Sequence, residues 1–340
     1  MKLSNVLAVG AVAATTTLFL NGCEFQPMGD AKVDQIGYDG VGMEQVYFRP
    51  TQEKLKEANQ VPDPQPPVSG EGPLAKDVYQ NVQVLTDLTV GEFNRLMAAI
   101  TKWVSPEQGC NYCHEGQNLA SDAVYTKVVT RQMLKMTRTI NSDWQANHVA
   151  ETGVTCYTCH RGNNLPEYGW FIDKGPQMPK GEVASRDGQN AARYESVAYS
   201  SLPFDPYTPY LLGDRNIRVT PSTALPEGTN PTLTKDTEWT YGLMMHLSDG
   251  LGVNCSFCHN SRQFSSWEQS PPQRVTAWHA IRQVRSANND YISPLTEVLP
   301  ASQLGTEGDP QKINCKTCHQ GVNKPLYGVS MLKDYPSLAE

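Results

Sequence analysis

The chain carries four copies of one short pattern, Cys-x-x-Cys-His, in which two thiols are followed directly by an imidazole. The copies span residues 110–114, 156–160, 255–259 and 315–319. In this pattern the two thiols add to the vinyl groups of a haem, and the adjacent His becomes an axial ligand of the iron. Four copies in 340 residues are not a chance occurrence. The sequence therefore predicts four covalently bound c-type haems, attached through Cys110, Cys113, Cys156, Cys159, Cys255, Cys258, Cys315 and Cys318.

Two other uses of paired cysteines fit the pattern less well. Zinc sites are built from paired Cys-x-x-Cys units, but zinc does not require a His directly after the second Cys in every copy. A thioredoxin-like dithiol normally occurs once, near a βαβ pattern, and no such pattern is visible here. Haem attachment is the interpretation that accounts for both cysteines, their spacing and the histidine in every copy of the motif.

A haem that only carries electrons has both axial positions of its iron filled, commonly by His and Met or by two His. For the first haem, Met97 lies 17 residues before the proximal His114. For the third haem, Met244 lies 15 residues before His259, and Met245 next to it faces another way. Each Met is therefore a candidate sixth ligand.

The second and fourth haems leave more than one candidate ligand. Met133 and Met136 share one helical face and are both within reach of His160. No Met occurs between the third and fourth motifs, so the haem of His319 should take a His from outside the motifs. The choice between His148 and His279 stays open on position alone. Thioether ligation raises the potential, so a haem with two His ligands should have the lowest potential of the four.

Helical periodicity surrounds these residues. Thr89 and Glu92 form a capping-box pattern ahead of a helix that carries Met97 and that Pro106 ends. A second helix, with Met133 on its apolar face, follows Ser121-Asp122, and Asp143 is predicted to cap a third that carries His148 and ends at Gly153. Two further helices are predicted over 237–247 and 272–287.

An internal repeat organises the chain. The spacing His-x-Gly-x-Asn-x-Pro-x-Tyr-Gly occurs at 160–169 and again at 319–328. We therefore predict a mainly α fold with long irregular segments, built from two dihaem units related by pseudo-twofold symmetry. The predicted organisation is a signal segment (1–22), an extended N-terminal arm (23–80), a first dihaem unit (81–165), a connecting segment (166–235) and a second dihaem unit (236–340).

The N-terminus reads as an export signal. Lys2 precedes a short apolar run that ends in Leu20-Asn21-Gly22-Cys23, which is typical of a lipoprotein processing site, with Cys23 acylated. An uncleaved anchor helix is the alternative. Both interpretations place the protein on a membrane surface after export. Residues 23–340 carry 27 positive and 35 negative side chains, which favours a cationic soluble partner and disfavours nucleic acid.

The residues around the motifs resemble the tetrahaem cytochrome c subunit of the photosynthetic reaction centres of purple bacteria. The resemblance is most specific over 148–160 and 315–321. It implies that Met97, Met133 and Met244 bind the first three irons and that His148 binds the fourth. It also implies that Arg274 lies beside a haem. The proximal ligands are then His114, His160, His259 and His319.

The role implied by this resemblance is electron transfer rather than catalysis. Such a subunit is held on the periplasmic side of the membrane against the reaction-centre subunits that carry bacteriochlorophyll. It takes electrons from a soluble cytochrome c or a high-potential iron–sulfur protein and re-reduces the photo-oxidised bacteriochlorophyll pair. A multihaem oxidoreductase, for example one acting on a nitrogen oxide, would need an iron with an open position. An electron conduit for another membrane complex would share all the haem chemistry.

Overall fold

A computed structural model describes residues 31–36, 43–175, 202–220 and 234–339. Within these ranges the chain is mainly helical, with long irregular segments between the helices. The predicted signal segment and Cys23 lie outside the described residues, as do parts of the predicted connecting segment. None of the helices within these ranges has the length and apolar character needed to span a bilayer.

The N-terminal arm contains more regular structure than its sequence indicated. Strands β1 (Ala31–Gln35) and β2 (Glu44–Phe48) pair antiparallel, and helix α1 (Arg49–Ala58) follows directly. Residues 60–73, which include five prolines, form neither helix nor strand. The arm packs on its own chain: the Gln45 side chain accepts a hydrogen bond from Asn254 N at 2.7 Å, and Gln65 N donates to Tyr335 Oη at 2.8 Å.

The first predicted helix is confirmed, including its cap. After the single turn α2 (Ala75–Val78), helix α3 spans Val90–Val104 and so ends just before Pro106. Thr89 N donates to Glu92 Oε2 at 3.0 Å, and Glu92 N donates back to Thr89 Oγ1 at 3.4 Å. These reciprocal bonds satisfy two backbone donors that a helix start leaves unpaired.

The helix with Met133 is also present, but the predicted start of the next one is wrong. Helix α4 spans Tyr125–Asp143, so Asp143 is its last residue rather than a cap. An N-cap has extended backbone, which Asp143 lacks because it is still helical. His148 lies in one wide helical turn, Gln145–Val149, which ends before Gly153 at Ala150, with φ 49°.

Helix α5 (Cys156–His160) is the second motif and ends the first half of the chain. The second half repeats the order of two long helices followed by a motif helix: α6 (Thr234–Leu251) and α7 (Gln273–Ser286) are the two predicted helices, and α8 (Cys315–His319) is the fourth motif. Helix α6 is longer at both ends than the sequence indicated. Single turns also occur in the described residues, at Gly109–Tyr112, Thr208–Leu212, Cys255–Phe257, Ala287–Ile292, Ser293–Glu297, Ala301–Gln303, Pro325–Gly328, Leu332–Asp334 and Pro336–Leu338.

Two close approaches join the long helices to the motif helices. At the end of α3, Gly162 N donates to Trp103 O at 2.8 Å, which ties α5 to α3. At the end of α6, Gly321 N donates to Gly250 O, also at 2.8 Å, which ties α8 to α6. A Cβ atom on Gly252 would collide with the carbonyl oxygen of Gly321, so this contact requires a glycine.

Candidate haem-binding sites

The second and fourth motifs have the same local structure. Each forms a short α-helix whose start is closed by a side chain three residues on: Thr155 N donates to Thr158 Oγ1 at 3.0 Å, and Asn314 N donates to Thr317 Oγ1 at 2.9 Å. In these two motifs the residue after the His has a left-handed backbone conformation, which ends the helix. These residues are Arg161, with φ 52°, and Gln320, with φ 49°.

The first and third motifs share a different structure. Each begins as a short 3₁₀ turn, Gly109–Tyr112 and Cys255–Phe257. The first cysteine of each, Cys110 and Cys255, is exposed, whereas those of the other two motifs are half-buried or buried. The four motifs therefore fall into two structural pairs, first with third and second with fourth, as the internal repeat indicated.

All four motif imidazoles are oriented in the same way, by a hydrogen bond from Nδ1 to a backbone carbonyl oxygen. The acceptor lies five residues on in the first and third motifs and three residues on in the second and fourth. The pairs are His114 with Leu119 O at 3.0 Å, His259 with Phe264 O at 2.9 Å, His160 with Asn163 O at 3.0 Å and His319 with Val322 O at 3.0 Å. Donation from Nδ1 fixes the tautomer in which Nε2 is free to bind a metal.

The second and fourth motifs meet on one cavity. Its volume is about 520 Å³, within the range of cofactor pockets. Cys159 Sγ lies 2.7 Å from Cys318 Sγ on its wall. The lining also includes Met133, Met136, His148, Cys156, His160, Cys315 and His319. An apolar cavity walled by two pairs of thiols and three imidazoles has the chemical groups that haem attachment and iron binding require.

His148 and His319 face each other in this cavity. Their ring centres are 6.0 Å apart and their planes differ by 26°. Two imidazoles that bind one metal ion, each through a bond of about 2 Å with the ring centre about 1 Å beyond the nitrogen, would have ring centres about 6 Å apart. His148 Nδ1 lies 2.6 Å from Gln283 Oε1, which leaves Nε2 as the free nitrogen. The separation of the ring centres therefore agrees with ligation of one metal ion by both imidazoles.

Burial keeps these imidazoles neutral, as metal binding requires. It lowers the pKa of His148 and of His160, and it lowers the pKa of His319 to about 4, with His148 as the next cause. A neutral imidazole offers its Nε2 lone pair without first losing a proton. Because both buried imidazoles are neutral, His148 and His319 can bind a cation without electrostatic repulsion.

Three of the candidate methionines, Met97, Met133 and Met244, are half-buried and lie on long helices. Met97 on α3 packs with the core cluster that includes Cys156, and Met133 on α4 and Met244 on α6 pack with the other cluster. Met133 lines the same cavity as His160, as does Met136, which is 8% exposed and a member of the core. Two methionine thioethers thus line the same cavity as His160, and position alone leaves both open as its partner.

The other two histidines lie differently from His148. His246 is buried against Tyr207, whose hydroxyl lies 3.3 Å from His246 Nδ1. The described residues that line the cavity do not include His246. Burial lowers the pKa of His246 to about 3. His279 is half-buried on α7 with its ring edge-on to Trp278. Of these three histidines, His148 is the one that lines the cavity together with His319 among the described residues.

Arg274 lies beside the third motif. Its guanidinium stacks over Trp267 at 4.1 Å and donates to Ser266 O at 2.7 Å. Burial raises the pKa of the Cys258 thiol to about 11, and the nearby charge of Arg274 opposes that rise. A fixed cation at this position would favour the ferrous state of a haem held by Cys258.

Within the described ranges, no three His, Cys, Asp or Glu side chains come together as a metal-ion cluster. The helical fold and the four oriented Cys-x-x-Cys-His motifs define a c-type cytochrome.

Comparison with known proteins agrees with this class and narrows it. Residues 26–339 match the family described as photosynthetic reaction centre cytochrome c subunit. The subunit of that name from Thermochromatium tepidum is 54% identical over 338 residues, which cover 99% of this chain and 82% of the relative. The one from Rubrivivax gelatinosus is 49% identical over 339 residues, 99% of this chain and 91% of the relative.

A third relative of the same name, from Roseobacter denitrificans, is 40% identical over 324 residues, 90% of this chain and 85% of the relative. The chain belongs to the photosynthetic reaction centre cytochrome c subunit family. Its role is therefore electron transfer through covalently bound haem in a membrane-associated complex.

Proposed function

We propose that the chain conducts electrons through four haems, from a soluble periplasmic carrier to the photo-oxidised bacteriochlorophyll pair of the reaction centre. The observation that carries the proposal is the common orientation of the four motif imidazoles, each held through Nδ1 with Nε2 free. Thioether bonds would fix each porphyrin in place, so that electron transfer needs little rearrangement.

The two halves of the chain are proposed to form dihaem units related by a pseudo-twofold axis. Reciprocal contacts support this symmetry. Helix α4 contacts the turn Ala287–Ile292, which follows α7, and α7 contacts the turn Gln145–Val149, which follows α4. The pairing of the motifs by structure supports the same axis.

The two close approaches between helices support the axial methionines that we propose for the first and third haems. Gly162 bonds to Trp103 O and Gly321 to Gly250 O, so Trp103 and Gly250 are equivalent positions. Met97 and Met244 each lie six residues before these positions. The equivalence favours Met244 over Met245 and pairs Met97 with His114 and Met244 with His259.

For the other two haems, we propose Met133 with His160 and His148 with His319. The ring separation of 6.0 Å supports His148 as the ligand that crosses to the fourth motif. Every iron then has two protein ligands, and no position is left for a substrate. A haem-based reductase would instead bind carbon monoxide at one iron of the reduced, intact protein.

The family and the charge of the chain support the partners that we propose. We propose docking on the reaction-centre membrane subunits and transient binding of a soluble cytochrome c or a high-potential iron–sulfur protein. The excess of acidic side chains, 35 against 28 basic ones in the whole chain, would speed the encounter with a cationic carrier. Acylation of Cys23 would hold the protein on the periplasmic side of the membrane.

Flash excitation of membranes tests the function. The oxidised bacteriochlorophyll pair should be re-reduced as haem of this chain becomes oxidised, and the subunits that carry the pair should copurify with the chain. A chain that remains reduced after the flash, or that purifies without bacteriochlorophyll, would contradict the proposal. Haem that is extracted by acidified acetone would contradict covalent attachment.

A further inference from the structure

Gln283 makes the one side-chain hydrogen bond that the structure shows to His148. Gln283 lies on α7, is 6% exposed, and places its amide oxygen 2.6 Å from His148 Nδ1. The four motif imidazoles use backbone carbonyl oxygens for the same bond. His148 therefore depends on a side chain from a different element for an interaction that the other imidazoles receive from the backbone beside them.

We propose that Gln283 is a positioning residue, which turns His148 toward His319 and sets how strongly it donates to the fourth iron. The inference rests on the proposed ligation of that iron by His148 and His319. Gln283 lies in the half of the chain that contains the fourth motif, whereas His148 belongs to the half that contains the second. The bond thus holds a ligand that crosses from one half to the other.

The contact acts through the imidazole in two ways. An acceptor at Nδ1 fixes the tautomer that leaves Nε2 free, and it orients the ring. It also makes the ring a stronger donor, because negative charge near Nδ1–H increases the electron density at Nε2. A stronger donor favours ferric iron and therefore lowers the potential of the haem.

Two substitutions at this position should shift the potential in opposite directions. Gln283→Glu places a stronger acceptor at Nδ1 and should lower the potential of the single bis-His haem. Gln283→Leu removes the acceptor and should raise that potential, or release His148 so that one iron binds carbon monoxide. We expect about a tenfold change in the ferric-to-ferrous equilibrium, which is 59 mV for a one-electron couple. A purely structural disturbance would not reverse sign between the two variants.

The measurement is a redox titration of the purified holo-protein, followed by low-temperature spectra that resolve the haems. Gln132→Leu is the matched control, because Gln132 is half-buried, is absent from the cavity lining among the described residues, and donates to Asp290 O at 3.3 Å rather than to a His. It should leave the bis-His haem unchanged. If Gln283→Leu fails to assemble with four haems, the near-isosteric Gln283→Glu still carries the test.

The outcomes separate the inference from the ligand set on which it rests. A wild-type protein without a bis-His haem would overturn the ligand set and the inference together. A wild type that has this haem, with no shift or with shifts of the same sign in the two variants, would overturn the role of Gln283 alone.

Discussion

Cys159 Sγ lies 2.7 Å from Cys318 Sγ, so two attachment points that are 159 residues apart in sequence are in contact. On the proposed attachment, both sulfurs bind haem, and the second and fourth porphyrins are neighbours at this contact. Each ferric iron adds a positive charge that the other senses, because the apolar cavity screens charge weakly.

Met133→His should therefore alter two haems. The substitution should lower the potential of the second haem and leave it ferric while the fourth titrates. Its positive charge should then raise the potential of the fourth haem, by an amount on the order of 1 kcal/mol. Redox titration measures both shifts. Met97→His at the first motif is the control, and an equal effect of both variants on the fourth haem would contradict the contact-based coupling.

His148→Ala should abolish the bis-His haem, because the ring that faces His319 at 6.0 Å is removed. One of the four haems should become high-spin in its ferric state and should bind carbon monoxide in its ferrous state. Electron paramagnetic resonance and carbon monoxide difference spectra measure this change. His279→Ala should retain all four wild-type spectra, and loss of the bis-His signal in that variant instead would move the assignment to His279.

Met133→Leu and Met136→Leu should differ, although both residues line the cavity. The first variant should open the second iron to carbon monoxide. The second should keep four six-coordinate haems and cost less than about 1.5 kcal/mol of stability, since Leu for Met nearly conserves volume in a core. The reverse pattern in the carbon monoxide spectra would identify Met136 as the ligand.

Thr89→Ala should destabilise the start of α3. The variant removes the side chain that accepts from Glu92 N, and loss of such a cap costs about 1 kcal/mol. Guanidinium unfolding followed by helical circular dichroism should show a lower midpoint. Thr89→Ser keeps an acceptor and should unfold near the wild-type midpoint, so an equal loss in both variants would argue against capping.

The ion pair between Asp122 and Arg131 should make the stability of the protein depend on pH in the acidic range. Arg131 donates to both oxygens of this carboxylate at 2.9 Å and, as the main cause, holds the Asp122 pKa well below its ordinary value. The stabilisation is complete above the unfolded pKa, about 3.9, and is lost as the pH falls toward the folded value. Asp122→Asn should be less stable than wild type at neutral pH. The difference in the free energy of unfolding between the variant and the wild type should shrink below about pH 4. A difference that does not change with pH would contradict the ion pair.

The sequence was sufficient for the local features. The capping box at Thr89, the helix with Met133 and the pairing of the motifs all follow from spacing, because these structures form among residues that are close in the chain. It failed at Asp143, whose side chain suits a cap but whose backbone remains helical within α4. It also missed the strands β1 and β2, which are short and largely exposed and leave no clear alternation.

Contacts between distant residues gave no signal in the sequence. Gln283 is one of several glutamines, and only the packing of α7 against the turn Gln145–Val149 brings it to His148. The choice of His148 for the fourth motif came from family resemblance, because position in the chain does not show which ring faces His319. The separation of these two rings is a property of the packed helices alone.

The glycine contact between α6 and α8 leaves no room for adjustment. Backbone touches backbone where Gly252 meets Gly321, so neither helix can slide without moving the other. On the proposed ligation, α6 supplies Met244 to one iron and α8 supplies His319 to another. A bulky replacement at Gly252 would therefore displace both helices and disturb two haems that have no ligand in common. The geometry of one haem could not be changed without changing that of the other.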